Sequence, residues 1–379
     1  MSHDVERISE RGVALKRVIC LRVSGRIIGC RGLAAAVVIL FCAALMPSVC
    51  VGAIIGNPIT AGGYTFVNFD PTLVGNAAGS NANGISNMGQ VVGTQVDMNN
   101  ASTFTNFTGT PAATTQLNTG TGQVAFGINS AGDVVGGNGT TAFFLPNGGS
   151  LQNLGTPAGA SNAFGINDKG NIVGQFASGN NSPGFILASN TSSVFTTINQ
   201  PTGITADAIN AQGINNNGLV IGFYLGNDGQ VHGFRANAPA TPGVVTANAI
   251  TDPVIPTVPA EPGATFVFSQ ILGVNDSGLA VGYYGDSTTS QHGYFYNTNT
   301  GLYTFLDDPA AQFHDGVEVT QITGISNSGE IAGFYTDAQG LAHSFVATPV
   351  PEPSGVALGA LGLLATVGFG WLRRRITIN

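Results

Sequence analysis

A ten-residue pattern of apolar, polar and glycine positions recurs six times along this chain. The first copy is Gly84–Gly93, and further copies begin at Gly127, Gly165, Gly213, Gly273 and Gly324. Every copy fits G-[IV]-[NS]-[NSD]-x-G-x-[VIA]-[VIA]-G. An apolar residue ends one strand, the polar pair opens a turn, and the middle glycine supplies the positive φ of a short loop. The pattern predicts six β-hairpins, which define repeats one to six.

Two more strands are predicted after most hairpins. Short aromatic motifs mark the third strand, at Ala142–Phe144, Gly184–Ile186, His232–Phe234, His292–Tyr294 and His343–Phe345. Apolar segments mark the fourth, at Thr114–Leu117, Leu151–Leu154, Val194–Ile198, Val244–Thr246 and Leu302–Leu306. The copies begin 43, 38, 48, 60 and 51 residues apart. Their mean of 48 residues falls in the range of propeller blades and similar repeat arrays.

The two ends of the repeat region favour a closed ring. Repeat six stops at Ala347 without a fourth strand, whereas the strand-like segment Tyr64–Phe69 precedes the first decamer without a hairpin of its own. If Tyr64–Phe69 pairs with the last strand of repeat six, two open sheet edges are removed. We therefore expect an all-β fold over residues 64–347, a six-bladed β-propeller of four-stranded antiparallel blades. An open solenoid, a β-sandwich and an incomplete propeller are the alternatives.

Both ends of the chain are hydrophobic and flanked by positive charge. Seven Lys/Arg residues precede an apolar run of fourteen, Leu33–Met46, and small residues follow it, so residues 1–53 are predicted to be a signal peptide. Near the other end, seventeen residues without a charge, Gly355–Trp371, precede three arginines. This segment predicts a transmembrane helix at residues 355–372 and a cytoplasmic basic tail at 373–379. The region between the two ends is then exported.

The C-terminal motif resembles a known sorting signal. A linker at residues 348–354 contains the motif, and the basic cluster follows the apolar span; together they comprise Val350, Pro351, Glu352, Pro353, Ser354, Arg373, Arg374 and Arg375. This order is similar to the PEP-CTERM tail of exported proteins in Gram-negative bacteria. The resemblance implies an exosortase, a membrane-embedded cysteine protease, as partner. It also implies inner-membrane anchoring in transit, then a place in the cell envelope, at the surface or in the extracellular matrix. A link to exopolysaccharide and biofilm follows from the same resemblance.

The repeats themselves resemble the HAF-type extracellular repeats, whose units carry G-I-N-x-x-G-x-[IV]-[VA]-G followed by an H-[AG]-F element. The histidine of that element is present as His232, His292 and His343 and is missing from repeats one to three. The resemblance covers nearly the whole exported region. It implies location and architecture, because the group has no firmly established activity.

The charge and the cysteine content of the chain restrict the kinds of site and of binding partner that the protein can have. All four cysteines precede Ala53, so the exported region has no disulfide, thiol nucleophile or cysteine-based metal site. Between Ile54 and Val350 there are sixteen acidic residues and two basic ones, Lys169 and Arg235, for a net charge near −14. Such a surface disfavours nucleic acid. Extracellular polysaccharide, which the resemblance of the C-terminal tail implies, is the partner that we expect.

The candidate chemistry is sparse. The sequence contains no nucleophile elbow, P-loop or dinucleotide fingerprint, so we expect no catalytic residue, no cofactor and no enzyme. A structural or binding module is the favoured function. The alternative is a secreted glycan-active hydrolase or lyase with a carboxylate-lined propeller channel. The densest ionisable group, which would suit paired carboxylates or a divalent cation, comprises Asp307, Asp308, His314, Asp315 and Glu318.

Two sets of repeated side chains have a structural and a functional interpretation. The histidines of repeats four to six are expected to hydrogen-bond neighbouring loops rather than to bind metal, and no metal site is predicted. Tyrosines that follow the decamers are expected mainly in the core, with sugar stacking as the other use. They are Tyr224, Tyr283, Tyr284 and Tyr335.

Overall fold

The structure is a computed structural model that describes residues 53–73, 77–97, 100–179, 181–205, 208–256 and 261–351. Residues 1–52 and everything from Glu352 onward lie outside these ranges, and with them the predicted signal peptide, apolar span and basic tail and most of the sorting motif. Throughout the described ranges the regular structure is β, which confirms the all-β prediction. None of these residues forms a helix that could span a membrane.

Twenty-six strands are present in the described ranges. The first thirteen are β1 (Ala53–Ala61), β2 (Tyr64–Asp70), β3 (Ala77–Ile85), β4 (Val91–Asp97), β5 (Asn100–Thr110), β6 (Ala113–Gln116), β7 (Val124–Ile128), β8 (Val134–Gly137), β9 (Ala142–Leu145), β10 (Gln152–Asn153), β11 (Ala160–Ile166), β12 (Ile172–Phe176) and β13 (Gly184–Leu187). The others are β14 (Phe195–Asn199), β15 (Ile209–Ile214), β16 (Leu219–Leu225), β17 (Val231–Asn237), β18 (Val244–Thr246), β19 (Asn248–Ala249), β20 (Phe266–Val274), β21 (Leu279–Asp286), β22 (Gln291–Asn297), β23 (Leu302–Phe305), β24 (Thr320–Ile325), β25 (Ile331–Thr336) and β26 (Ala342–Pro349).

Each decamer forms the predicted antiparallel hairpin. In repeat one, Ile85 pairs with Val91, and Gly89 closes the turn with a φ of 71°. The register shifts just before the first glycine of all six decamers, which places a β-bulge there. Bulges bend a strand and increase its twist. The decamer therefore encodes the turn and the bend of every repeat.

The third and fourth strands extend each hairpin outward, with one departure from the prediction. Val244–Thr246 does not pair with β17; it runs parallel to β14 of repeat three, and β17 pairs with Asn248–Ala249 instead. Burial explains the difference. Val244 is 67% exposed, whereas Ala247 and Ile250, which flank β19, are buried. Apolar contact therefore holds the later segment against β17.

β2 is the fourth strand of repeat six, as the sequence predicts from the unmatched segment Tyr64–Phe69. β2 pairs antiparallel with β26 from Tyr64 opposite Pro349 to Phe69 opposite Ser344. Phe66 and Phe69 are fully buried in this position. β1, which was not predicted as a strand, pairs along the outer edge of β2.

The first glycines of the decamers bring neighbouring repeats into backbone contact. A Cβ on Gly84 would lie 2.7 Å from the carbonyl oxygen of Phe126, and one on Gly127 would lie 2.7 Å from that of Phe164. The same contact joins the two ends of the series, because a Cβ on Gly324 would lie 3.1 Å from Gly84 Cα. Only glycine permits this approach.

Candidate functional site

All six decamers line one cavity of about 300 Å³. Each contributes at least its first two residues, from Gly84 and Ile85 in repeat one to Gly324 and Ile325 in repeat six, and five of the six also contribute their fourth residue. Half-buried phenyl rings add an apolar wall, and they belong to Phe126, Phe164, Phe223 and Phe334. The cavity therefore combines aromatic faces with the polar turns of the decamers.

A circuit of hydrogen bonds runs around the polar end of this cavity. The fourth decamer residue of one repeat donates its backbone N–H to the side-chain oxygen of the next fourth residue. Asp168 donates to Asn216, Asn216 to Asp276 and Asp276 to Asn327, over 2.7–3.0 Å. The N–H of Asn327 then donates to Asn87 Oδ1 at 2.6 Å, which joins repeat six to repeat one.

Two carboxylates belong to this polar circuit. Asn216 Nδ2 donates to Asp168 Oδ2 at 3.2 Å and to Asp276 Oδ2 at 3.0 Å, so the two oxygens lie within about 6 Å of each other. Partial burial raises the pKa of Asp168, but bonds from Ser130, Asn87 and Asn216 outweigh it and lower that pKa overall. Asp168 is thus a stable anion at the cavity mouth.

The tyrosines after the decamers are core residues, as expected. Tyr224, Tyr283, Tyr284 and Tyr335 are all less than 10% exposed. The aromatic rings that face the cavity in repeats four and six stand one position earlier, at Phe223 and Phe334. Strand alternation explains this, because adjacent side chains point to opposite faces.

The three repeated histidines each bridge two carboxylates. His343 Nδ1 lies 2.8 Å from Asp70 at the end of β2, and its Nε2 lies 3.1 Å from Asp337 in the turn before β26. His232 sits in the same way between Asp252 and Asp228. Burial lowers the pKa of each imidazole, but the two carboxylates outweigh it and raise that pKa overall. In repeats four and six the histidine therefore ties two loops together.

Repeat five contains a more buried version of the same arrangement. His292 Nδ1 lies 2.8 Å from Asp307 Oδ2, while Nε2 lies 3.1 Å from Glu261 Oε2 and 3.8 Å from Asp286 Oδ2. The side chains of His292, Glu261 and Asp286 are only 1–3% exposed. Burial lowers the pKa of His292, but Asp307 and Glu261 outweigh it and raise that pKa to about 9. These three buried residues form the acidic cluster of repeat five.

The five site candidates of the sequence lie in three places. Asp307 joins the acidic cluster through His292, and half-buried Glu318 lies beside it, where burial and the charge of Asp307 raise the Glu318 pKa. His314 and Asp315 are exposed, and their side chains lie 3.6 Å apart on a loop. Asp308 lies apart from both groups. The structure therefore brings two of the five, Asp307 and Glu318, to the acidic cluster of repeat five.

Asp308 is buried against the N-terminal strand. Its Oδ1 accepts bonds from Asn68 Nδ2 at 3.3 Å and from the N–H of Ala310 at 2.8 Å. Its Oδ2 is buried without a hydrogen-bond partner among the described residues. Burial is the largest influence and raises the Asp308 pKa to about 6. The fold therefore favours the protonated carboxyl.

Replacing Asp308 with asparagine is expected to make stability less sensitive to pH. Because the folded pKa lies above the unfolded value, the native chain loses stability as pH rises from about 4 to about 6. Asp308→Asn lacks this loss and should be more stable than the native chain by about 2–3 kcal/mol at pH 7. Urea unfolding at pH 4, 5, 6 and 7 measures the difference. Exposed Asp315→Asn is the control, and a difference between Asp308→Asn and the native chain that does not grow with pH contradicts the prediction.

Two cluster residues, Glu261 and Asp286, were not singled out by the sequence. Glu261 is the next-to-last residue of a proline-rich segment, Pro239–Pro262, whose composition is typical of a long loop. One signal was available: between Ile54 and Val350 there are only three glutamates, and Glu261 and Glu318 both lie in or beside the cluster. Because Glu261, Asp286 and His292 lie far apart in the sequence, the sequence did not show that they form one cluster.

No protein-family profile and no curated protein matches this chain. Solved structures do match, and they are β-propeller-like proteins. A streptogramin B lyase is 13% identical, with 75% of this chain and 97% of that chain covered and a TM-score of 0.35. A neuraminidase-like protein from A/bat/Guatemala/164/2009 is 13% identical, with 80% and 98% covered and a TM-score of 0.40. A prolyl endopeptidase is 12% identical, with 76% of this chain covered and a TM-score of 0.37, and this chain spans 47% of its length.

These comparisons correct one expectation. The absence of a catalytic motif led us to expect a protein that is not an enzyme, yet the matching structures include peptidases and a lyase. At 10–13% identity these structures show a likeness of fold alone.

Proposed function

We propose that this chain is an exported, envelope- or matrix-associated repeat protein whose closed six-bladed propeller binds extracellular polysaccharide. An exosortase-type protease would sort it through the PEP-CTERM motif that Val350 and Pro351 begin. The observation that carries the binding role is the single cavity to which all six decamers contribute. Its volume of about 300 Å³ is at the lower end for a small-molecule site, which suits one sugar unit of a chain.

The six-bladed ring is supported by contacts between the first and last repeats. Asn327 donates to Asn87, Gly324 lies against Gly84, and β2 pairs with β26. An open array would leave these groups without partners at its two ends. Closure also removes the sheet edges that an open array exposes.

The lining of the cavity supports a sugar ligand. Sugar rings present apolar C–H faces and a rim of hydroxyl groups. Phe164 and Phe223 offer flat apolar surfaces, while Asp168 and Asn216 offer acceptors and donors at the mouth. The region from Ile54 to Val350 is strongly acidic, so a neutral or amino sugar fits better than an anionic one. Binding of this kind would hold the exported protein in the matrix.

A glycan-active enzyme is the second candidate, and the carboxylate pair favours it. Asp168 and Asp276 share the Asn216 amide at the cavity mouth. Paired carboxylates at such separations carry glycoside hydrolysis when one of them is protonated. Because hydrogen bonds lower the Asp168 pKa, Asp168 would serve as base or nucleophile and not as the acid. Shortening of the bound glycan would identify this activity.

The proposal is tested by following the chain in bacteria with and without a working exosortase. We expect the released native protein to lack Arg373–Arg375 by mass spectrometry and to co-purify with matrix polysaccharide. Phe223→Ala should be processed equally but bind polysaccharide about 3–10-fold more weakly, because one aromatic stacking surface is lost. Phe313→Ala, which removes a ring that is 39% exposed and outside the cavity, is the matched control.

The sorting role and the binding role are contradicted by different results. Released protein that retains Arg373–Arg375 refutes the sorting, whatever the protein binds. Equal retention on polysaccharide by native chain and Phe223→Ala, with both folded, refutes binding in the cavity.

A further inference from the structure

The acidic cluster of repeat five has three donor atoms that face one point. Glu261 Oε2 lies 3.1 Å from His292 Nε2, Asp286 Oδ2 lies 3.8 Å from it, and all three atoms lie within 4.8 Å of one another. Bonds of about 2.1 Å to a tetrahedral cation place its ligands about 3.4 Å apart. The three atoms already have nearly the spacing of a metal's ligands.

The remaining polar atoms of these residues are occupied, which fixes the orientation of each donor. Glu261 Oε1 accepts bonds from the hydroxyls of Thr288 and Ser290. Asp286 Oδ1 accepts bonds from the N–H groups of the same two residues at 2.9 and 3.1 Å. His292 Nδ1 donates to Asp307. An imidazole held by a carboxylate on its far nitrogen is the usual support of a metal-binding histidine.

The charge of the cluster is unbalanced. Glu261, Asp286 and Asp307 place three carboxylates around one imidazole, and the first two are almost fully buried. Every ion pair in the described ranges has histidine as its cation. Arg235 is engaged elsewhere, donating to the carbonyl of Thr298. Buried carboxylates without compensating charge are costly, and a divalent cation would supply that charge.

Comparison with repeats four and six shows that the cluster is a modified form of the histidine bridge. Asp286 stands six residues before its histidine, as Asp337 does before His343. Glu261 is the addition, because each of the other two histidines has one carboxylate at Nε2 within 3.1 Å. Repeat five is also the most buried, since the His232 and His343 side chains are 15% and 14% exposed.

Backbone strain separates repeat five from the other two as well. Three residues before the histidine, repeats four and six have Gly229 and Gly340 with φ near 80° and 74°. Repeat five has Thr289 there, with a φ of 74°. A β-branched residue in the left-handed region is a strained outlier that the surroundings must impose. Its neighbours Thr288 and Ser290 are the two residues that hold Glu261 and Asp286.

We propose that Glu261, Asp286 and His292 bind a divalent first-row cation of the Zn²⁺ type. An imidazole nitrogen with two carboxylates suits Zn²⁺, whereas Ca²⁺ and Mg²⁺ prefer sets of oxygen ligands alone. The cation would clamp the end of the proline-rich segment to β21 and β22. The site is separate from the cavity that the decamers surround and does not depend on the polysaccharide proposal.

Calorimetric titration of the chelator-treated full chain with ZnCl2 tests this site. We expect one Zn²⁺ per chain, with a Kd at least about 10-fold higher in Glu261→Gln and in Asp286→Asn. Asp337→Asn, the matched change at the repeat-six bridge, should leave the Kd unchanged. Zn²⁺ should raise the Tm of the native chain and of Asp337→Asn but not of the two ligand variants, whose β-sheet circular dichroism confirms that they fold.

Three outcomes would overturn the site: no stoichiometric Zn²⁺ binding by the native chain, an unchanged Kd in both ligand variants, or an equal Tm rise with Ca²⁺. If one ligand variant fails to fold, the other still decides the question. If both fail, the Tm comparison of native chain and Asp337→Asn with and without Zn²⁺ decides it, since no rise in the native chain contradicts the site.

Discussion

Deletion of Tyr64–Asp70 is expected to abolish cooperative folding of the repeat region. This strand supplies the outer ladder of β26 and two fully buried rings, Phe66 and Phe69. Removing a buried phenylalanine costs about 3–5 kcal/mol, and two of them approach the whole stability of an ordinary domain. The loss is not local, because Phe66 packs on Phe345 of repeat six and Phe69 on Phe107 of repeat one.

A milder change keeps this prediction measurable. Phe66→Ala should lower the free energy of unfolding by about 3–5 kcal/mol, and Ile59→Ala, on the neighbouring strand and 40% exposed, should lower it by less than about 1 kcal/mol. Urea unfolding followed by circular dichroism measures both. An unchanged unfolding midpoint in the deletion variant would show that β2 does not close the array.

Replacing the last glycine of a decamer is expected to cause the second large loss. A Cβ on Gly222 would meet the carbonyl oxygen of Asn210 and lie 2.8 Å from Cε1 of Phe234. Each of the other five final glycines likewise faces a carbonyl oxygen of the preceding strand and an aromatic side chain of the third strand. Because the obstacle is backbone in a paired strand, it cannot move aside. Gly222→Ala should therefore cost about 2–4 kcal/mol.

The matched control for Gly222 is another glycine of the same chain. At Gly155 an added Cβ meets nothing within 4 Å, and the backbone is not in the left-handed region. Gly155→Ala should leave the Tm unchanged or raise it slightly, because alanine reduces the entropy of the unfolded chain. If Gly222→Ala unfolds at the same temperature as Gly155→Ala, the final glycine of the decamer is not required for the close packing of the Phe234 ring against the strand.

Local signals predicted the hairpins and most of the outer strands. Turn residues and a glycine at fixed offsets act within ten residues, so the pattern at Gly324–Gly333 is legible without knowing its neighbours. The fourth strand of repeat four was misplaced for the opposite reason. Val244–Thr246 has strong strand propensity, but buried Ala247 and Ile250 bring Asn248–Ala249 to β17 instead. Tertiary burial outweighed local propensity there.

The candidate functional sites were likewise predicted only in part from local sequence. The sequence pointed to Asp307 and Glu318, yet the residues that complete their cluster, Glu261 and Asp286, lie 46 and 21 positions before Asp307. Three-dimensional proximity alone brings them to His292. The aromatic lining of the cavity could not be predicted for a related reason, since Phe223 and Phe334 stand next to buried Tyr224 and Tyr335 and occupy the opposite face of the strand.

By itself the sequence determined the all-β class, the six hairpins, the acidic cysteine-free character of the region between Ile54 and Val350, and the pairing of β2 with repeat six. All of these follow from local patterns or from counting strands and charges. Only the tertiary structure decided that the decamers share one cavity, that Asp168 and Asp276 meet at Asn216, and that Glu261 is buried beside His292. Such convergence depends on how repeats far apart in sequence pack together, and short-range patterns carry no information about that distance.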